Sequence, residues 1–308
     1  MPTTRANDIE IYFETFGDPG AETVLLVNGL GTQLTGYEED FCERLVQQGF
    51  RVVRFDNRDV GLSTHLDAEV PDVLEAFAAA TSGGTVEAPY ALRDMAADAV
   101  AVLDTLEVDG AHIFGSSMGG MIVQSIAIEY PERVRSVTSV MSTTGEPEYG
   151  MPDPECLAGL ATVMVPAESR EERINSGIRL QELIGTPDAW DAAHMRNRVA
   201  EAVDRCYDPD GTARQMLAIL ASGDRAEGLS QLSRATMVLH GDADRLVNIS
   251  GGRRTAGLVE DSEFRVMPGM GHDLPPAYWE RAVAAVVDVA GRSTEGDGAG
   301  RSVAGDAR

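Results

Sequence analysis

The segment Gly115-Ser116-Ser117-Met118-Gly119 sets a serine where a strand-like run, Ala111 to Gly115, gives way to a helix-like one, Met118 to Tyr130. A serine at so sharp a turn sits in a strained backbone, and only small neighbours let strand and helix pass this closely. Its hydroxyl projects from the sheet's carboxyl edge over a helix N-terminus, which favours developing negative charge. The chemistry on offer is nucleophilic attack, provided that a base takes the hydroxyl proton. The chain has five histidines. His272 lies in Pro268-Gly269-Met270-Gly271-His272-Asp273, a glycine-rich loop after the last strand-like run, from which a side chain can reach across the sheet's edge. It is the expected base. His112 is expected to pack within its strand, His240 ends another strand, and His65 and His194 are candidates for a pocket wall. The base in turn needs a carboxylate to fix its tautomer. Gly241-Asp242-Ala243-Asp244 follows the penultimate strand at the same edge. Asp244 is preferred and Asp242 is the alternative, because a turn aspartate often does no more than bond backbone amides.

Such side chains meet at one edge when a mainly parallel sheet carries helices on both faces, and the first third of the chain alternates in that pattern. Ile9 to Phe16 alternates as a hairpin strand, and Thr23 to Asn28 is a short apolar run closed by Gly29, the mark of a buried strand. A helix is predicted from Tyr37 to Gln48 and a strand from Arg51 to Phe55. Ser63 to Tyr90 reads as a long segment with one short helix over Pro71 to Ala80. Leu92, Met95, Ala99, Val102, Leu103 and Leu106 recur at helical spacing, while Met118 to Tyr130 is apolar on nearly all sides and must be buried. Val134 to Met141 supplies the next strand.

Between Gly145 and Gly228 strand signals vanish and helix-like stretches follow one another at Pro154 to Val165, Arg170 to Ile184, Ala189 to Cys206 and Thr212 to Ala221. Alternation resumes with strands at Thr236 to Leu239 and Glu263 to Met267 and helices at Gly251 to Val259 and Ala277 to Ala290. The expected organisation is a core over 1–144 and 229–292, an inserted helical unit over 145–228, and a disordered tail over 293–308, which lacks apolar periodicity. Met151, Leu160, Met164, Trp190, Met195, Met216 and Leu217 give the insertion an apolar complement suited to its own core or to an acyl-binding wall. Stripes at helical spacing are usually core, so only a subset is expected to face a substrate.

Composition narrows the function. Fifty acidic residues against 25 basic ones give a net charge of −25, and the cations are all arginine. Without a basic face the chain is not expected to bind nucleic acid. Without lysine there is no Walker phosphate loop, Schiff base or pyridoxal phosphate anchor. The Gly29 to Leu34 loop has leucine where a dinucleotide fingerprint needs its third glycine. Cys42, Cys156 and Cys206 are too far apart for a CxxC or zinc motif, so no cofactor and no metal is expected. No leader-like start and no run of eighteen apolar residues occur, from which a cytoplasmic protein without stable membrane insertion is expected. A homo-oligomer is compatible with the sequence.

From about Ile9 to Ala290 the chain resembles the serine α/β-hydrolases, in particular the bacterial esterase and lipase branch with its aclacinomycin methylesterase-like and lipase G-like proteins. The segments that carry the resemblance are Asn28-Gly29-Leu30-Gly31, Asp56 to Ser63 (DNRDVGLS), the Gly115 to Gly119 turn, Gly241 to Asp244 and Gly269 to Pro275 (GMGHDLP). The order Ser117, Asp244, His272 is that of the family. The resemblance implies an α/β-hydrolase fold: an eight-stranded, mostly parallel sheet with an inserted helical cap. It further implies an oxyanion hole made by the backbone N–H groups of Leu30 and Met118. Asn28 stands where the family commonly has histidine, and Asp59 replaces a small residue in a turn that is expected to be structural. The implied activity is cleavage of a small-molecule carboxylic ester through an acyl-enzyme. The same triad also serves cofactor-free haloperoxidases, perhydrolases and carbon–carbon bond hydrolases, and a hydrolase-fold ligand receptor is an alternative of another class.

Overall fold

The structure is a computed structural model that describes residues 3–299. Strands β1 (Thr3–Ala6), β2 (Ile9–Phe16), β3 (Thr23–Val27), β4 (Arg51–Phe55), β5 (Ala111–Ser116), β6 (Val134–Val140), β7 (Ala235–Gly241) and β8 (Glu263–Met267) form one sheet in the order β1-β2-β4-β3-β5-β6-β7-β8. Among the described residues, only the β1–β2 and β2–β4 pairs are antiparallel. Every residue of β3, β4 and β5 is buried, as expected of parallel strands covered on both faces.

Among the described residues eleven α-helices accompany the sheet: α1 (Glu39–Gln47), α2 (Val73–Thr81), α3 (Leu92–Thr105), α4 (Met118–Glu129), α5 (Pro154–Thr162), α6 (Arg170–Ile184), α7 (Ala192–Arg205), α8 (Pro209–Ala221), α9 (Ala226–Ser230), α10 (Ser250–Leu258) and α11 (Pro276–Ala299). The two-residue period of β3 splits its side chains between two cores. Leu25 and Val27 join Met95, Ala99, Ile122 and Ile126 of α3 and α4, whereas Val24 and Leu26 join Phe41, Leu45, Trp279 and Val286 of α1 and α11. The all-round apolar α4 is indeed enclosed, with every residue from Met118 to Ala127 buried.

Helices α5 to α9 all lie between β6 and β7. Their own core is small, Cys156, Leu180 and Ile184 with Leu160, Val163 and Leu183 packed around. They meet the loops at the sheet's carboxyl edge through polar ties: Arg205 pairs with Asp56, Arg214 with Asp59, and Gln33 Nε2 donates to the Ala202 and Cys206 carbonyls.

Three differences from the sequence reading have physical causes. The short edge strand β1 was not expected; it is stabilised by its register with β2, which four residues cannot announce alone. Helix α2 begins at Val73, later than predicted, because the Asp72 side chain caps the Leu74 and Glu75 N–H groups. The segment expected to be disordered from Ser293 is helical as far as Ala299, since extending a formed helix avoids the cost of nucleation and no proline stops it. The rest of that expected tail, 300–308, lies outside the described residues.

Candidate active site

Ser117 caps α4 directly after β5, with φ 56° and ψ −120°. That left-handed conformation costs a non-glycine residue on the order of 1–3 kcal/mol and persists only where packing enforces it. The enforcement is visible in the glycines. A Cβ on Gly115 would lie 2.1 Å from the Gly119 carbonyl oxygen, and one on Gly119 would lie 2.0 Å from that of Val27. The turn is thus as tight as backbones permit, and the serine hydroxyl is left at its tip.

Three side chains separated in sequence meet there. Ser117 Oγ lies 2.9 Å from His272 Nε2, and His272 Nδ1 lies 2.8 Å from Asp244 Oδ2. With Asp244 ionised, Nδ1 carries the proton and Nε2 is left to accept from the serine. Asp244 is buried, and its Oδ1 accepts the Leu246 and Val247 N–H groups at 2.9 and 2.8 Å. Burial opposes its charge but is outweighed by the positive charge His272 carries at low pH and by the nearby N–H groups of His240 and His272, which together hold the carboxyl down at about 2. Asp242, the alternative, instead bonds the Gly269 N–H from an exposed position. The His272 loop is braced by the end of α6 and the chain that follows: His272 N–H donates to the Ile184 carbonyl, and Gly271 N–H to Thr186 Oγ1.

The Asn28-Gly29-Leu30-Gly31 loop lies against the serine, for a Cβ on Gly29 would sit 3.2 Å from that of Ser117. Among the described residues, the N–H groups of Leu30 and Met118 have no hydrogen-bond partner, which leaves both free to receive an oxyanion. Asn28 is buried beside Asn57, whose Nδ2 donates to the Asn28 carbonyl; the Asn28 side-chain amide donates to nothing within the described residues. The Asp56 to Ser63 turn is anchored by arginines from several directions. Arg58 bonds both oxygens of Asp98, Arg205 those of Asp56, and Arg214 those of Asp59. Asp59, the departure in this turn, has φ 66° and is the partner Arg214 requires.

A cavity of about 760 Å³ opens on Ser117 and His272, within the size range of small-molecule sites. Leu160, Met195 and Met216 of the insertion's seven apolar candidates line it, Leu217 is packed in the interior, and Met151 is exposed. His65 also faces the cavity. Its hydrogen bond with Cys206 pushes it up to about 10 against the opposing effect of burial, with help from the Gly61 carbonyl and Asp208. Both its ring nitrogens face acceptors, Nδ1 the Asp208 carboxylate and Nε2 the Gly61 carbonyl, so it is no rival base. Asp59, His65 and Asp208 gather three ligand-type atoms, but Arg214 bonds both carboxylates and His65 bonds Asp208, so the local charges are already paired. His112 is packed in β5 against Ser136, and His194 does not line the cavity but pairs with Glu38, which does.

Sequence reasoning missed Gln215, Arg214 and Arg205, which reach the core loops from the inserted helices, and His240, whose Nε2 donates to the Val247 carbonyl 3.4 Å from Asp244 Oδ2. One signal was present: Arg214-Gln215 interrupts the otherwise apolar run Ala213 to Ala221, and buried polar groups must find partners.

Sheet order, the tight serine turn and the edge loops together define an α/β hydrolase. Residues 22–276 match the alpha/beta hydrolase fold family, and the chain belongs to it. Among characterised relatives it is similar to rhodomycin D methylesterase DnrP of Streptomyces peucetius, 28% identical over 306 residues that span 93% of this chain and 97% of the relative. Its fold is similar to that of the enol-lactonase from Burkholderia xenovorans LB400, with a TM-score of 0.73 at 19% identity over 94% of this chain and 99% of that one. The fold is also similar to that of a thermophilic esterase from Thermogutta terrifontis, with a TM-score of 0.71 at 22% identity over 95% of this chain and 98% of that one. Among the described residues, no helix is long and apolar enough to cross a membrane.

Proposed function

We propose that the protein hydrolyses carboxylic esters, with Ser117 as nucleophile, His272 as base and acid, and Asp244 as the group that orients the imidazole. The observation that carries this reading is the unbroken hydrogen-bond chain from Asp244 through His272 to Ser117, opening on a cavity of about 760 Å³. Ser117 Oγ adds to the ester carbonyl carbon while its proton passes to His272 Nε2, and the oxyanion accepts from the N–H groups of Leu30 and Met118. The imidazolium returns the proton to the departing alcohol as the carbon–oxygen bond breaks, which leaves an acyl-enzyme. Water, deprotonated by the same nitrogen, then releases the acid. The similarity to a methylesterase supports a small alcohol on a bulkier acid.

The test is initial-rate hydrolysis of nitrophenyl esters of graded acyl length, with fluorophosphonate labelling at Ser117. Ser117→Ala is expected to lose about 10⁶ in kcat. Hydrolysis that survives this substitution overturns the reading. Peroxide-dependent bromination, or a ligand-dependent melting shift without turnover, would move the assignment to a haloperoxidase or to a receptor.

A further inference from the structure

Gln215 stands on α8, fully buried, and both ends of its amide are engaged. Its Oε1 accepts the Gly31 N–H at 2.8 Å, and its Nε2 donates to the Arg58 carbonyl at 2.7 Å. Thr212, three residues earlier and so on the same helical face, also packs against Gly31, where a Cβ would lie 2.9 Å from its Oγ1. The inserted helix thus grips the loop that presents Leu30 to the serine.

That loop is a four-residue turn closed by the Thr32 N–H on the Gly29 carbonyl, with Leu30 and Gly31 in its centre. The positive φ of Gly31, 63°, is the type II form. Types I and II differ by a rotation of the central peptide, the one that joins Leu30 to Gly31. Its N–H is the group that Gln215 holds. Gly29, on the other side of Leu30, is already fixed against Ser117. The Leu30 N–H belongs to the preceding peptide, Gly29–Leu30, whose carbonyl accepts the Thr32 N–H that closes the turn, so it keeps its direction while the turn keeps its form.

Building on the ester-hydrolase reading, we infer that Gln215 is a positioning residue: it keeps the Leu30 N–H aimed at the oxyanion, and so makes the seating of α8 a condition of turnover. A donor that must form its bond in the transition state, and is free beforehand, gains most from being held in place.

Gln215→Met keeps the side-chain length and removes both hydrogen bonds. The expected result is a fall of about 10- to 100-fold in kcat, less than the 10²–10³ that follows outright loss of a donor. Affinity for a trifluoromethyl ketone, whose hemiketal oxyanion on Ser117 occupies the same position, should fall by a similar factor. KM, and the affinity for the product acid, should change less than threefold. Gln215→Asn, polar but one methylene too short to span both partners, should fall between wild type and Gln215→Met, and it carries the test if the methionine variant does not fold. Unchanged kcat overturns the proposal, as does an equal loss for ketone, substrate and acid, which would mark a structural role only. A wild-type protein that turns over no ester, or a Ser117→Ala variant that remains active, would instead sink the parent reading.

Discussion

Asp244→Asn alters one atom and reverses the direction of a proton. Asp244 Oδ1 is held by the Leu246 and Val247 N–H groups, so the amide oxygen of the variant must stay there and its NH₂ must replace Oδ2, 2.8 Å from His272 Nδ1. Facing a donor, Nδ1 becomes the acceptor and the imidazole proton moves to Nε2. That nitrogen, 2.9 Å from Ser117 Oγ, then donates where it must accept, and the serine loses its base. His240 cannot relieve the clash, because its Nε2 is also a donor, already committed to the Val247 carbonyl. The equivalent change in another serine hydrolase lowers kcat about 10⁴-fold, or about 5 kcal/mol of transition-state stabilisation. Steady-state hydrolysis of a nitrophenyl ester at pH 8, corrected for correctly folded protein, gives the number. A folded variant within tenfold of wild type would refute the assignment of Asp244 and the tautomer argument with it.

A Cβ on Gly119 meets β3 backbone at 2.0 Å, so Gly119→Ala should lose about 1–3 kcal/mol or more in a denaturant titration, and activity with it. Gly257→Ala on α10, where a Cβ meets nothing within 4 Å, should be neutral or gain about 0.5–1 kcal/mol. Asp244 titrates lower folded, at about 2, than unfolded, so its ionisation stabilises the fold above about pH 4 and loses that effect as pH falls toward 2. The contribution is about 2 kcal/mol and should appear as a stability gap between wild type and Asp244→Asn that narrows across that window. In the native protein one thiol, Cys206, should react with a disulfide reagent. Cys42 and Cys156 are fully buried, and burial pushes their thiols up, Cys42 to about 12, so both should react only on unfolding.

The sheet, the serine turn and the loops bearing Asp244 and His272 were legible because each leaves a local mark. A buried parallel strand is a short apolar run, a left-handed serine needs glycines on either side, and an edge loop needs glycine to turn. Asp244 and Asp242 could be ranked only by habit, since what separates them is the distance to His272, 28 residues on. What lay beyond reach were contacts between distant segments with no local cause. Gln215 meets Gly31 across 184 residues, and Arg205 meets Asp56 across 149. Helix propensity is indifferent to which polar side chain faces inward, so only the partner gives such a residue meaning. The two-residue delay of α2 and the run of α11 to Ala299 are boundary effects of capping and propagation, which periodicity does not carry.

The positive φ at Ser117 has a consequence for descent as well as for reactivity. A side chain branched at Cβ is all but excluded from that backbone region, while unbranched serine and cysteine, and the short aspartate, tolerate it. Threonine bears the same alcohol and lies one mutation away, yet it is closed to this position. The repertoire of nucleophiles open to the protein's descendants is therefore limited by a main-chain torsion before any question of chemistry arises.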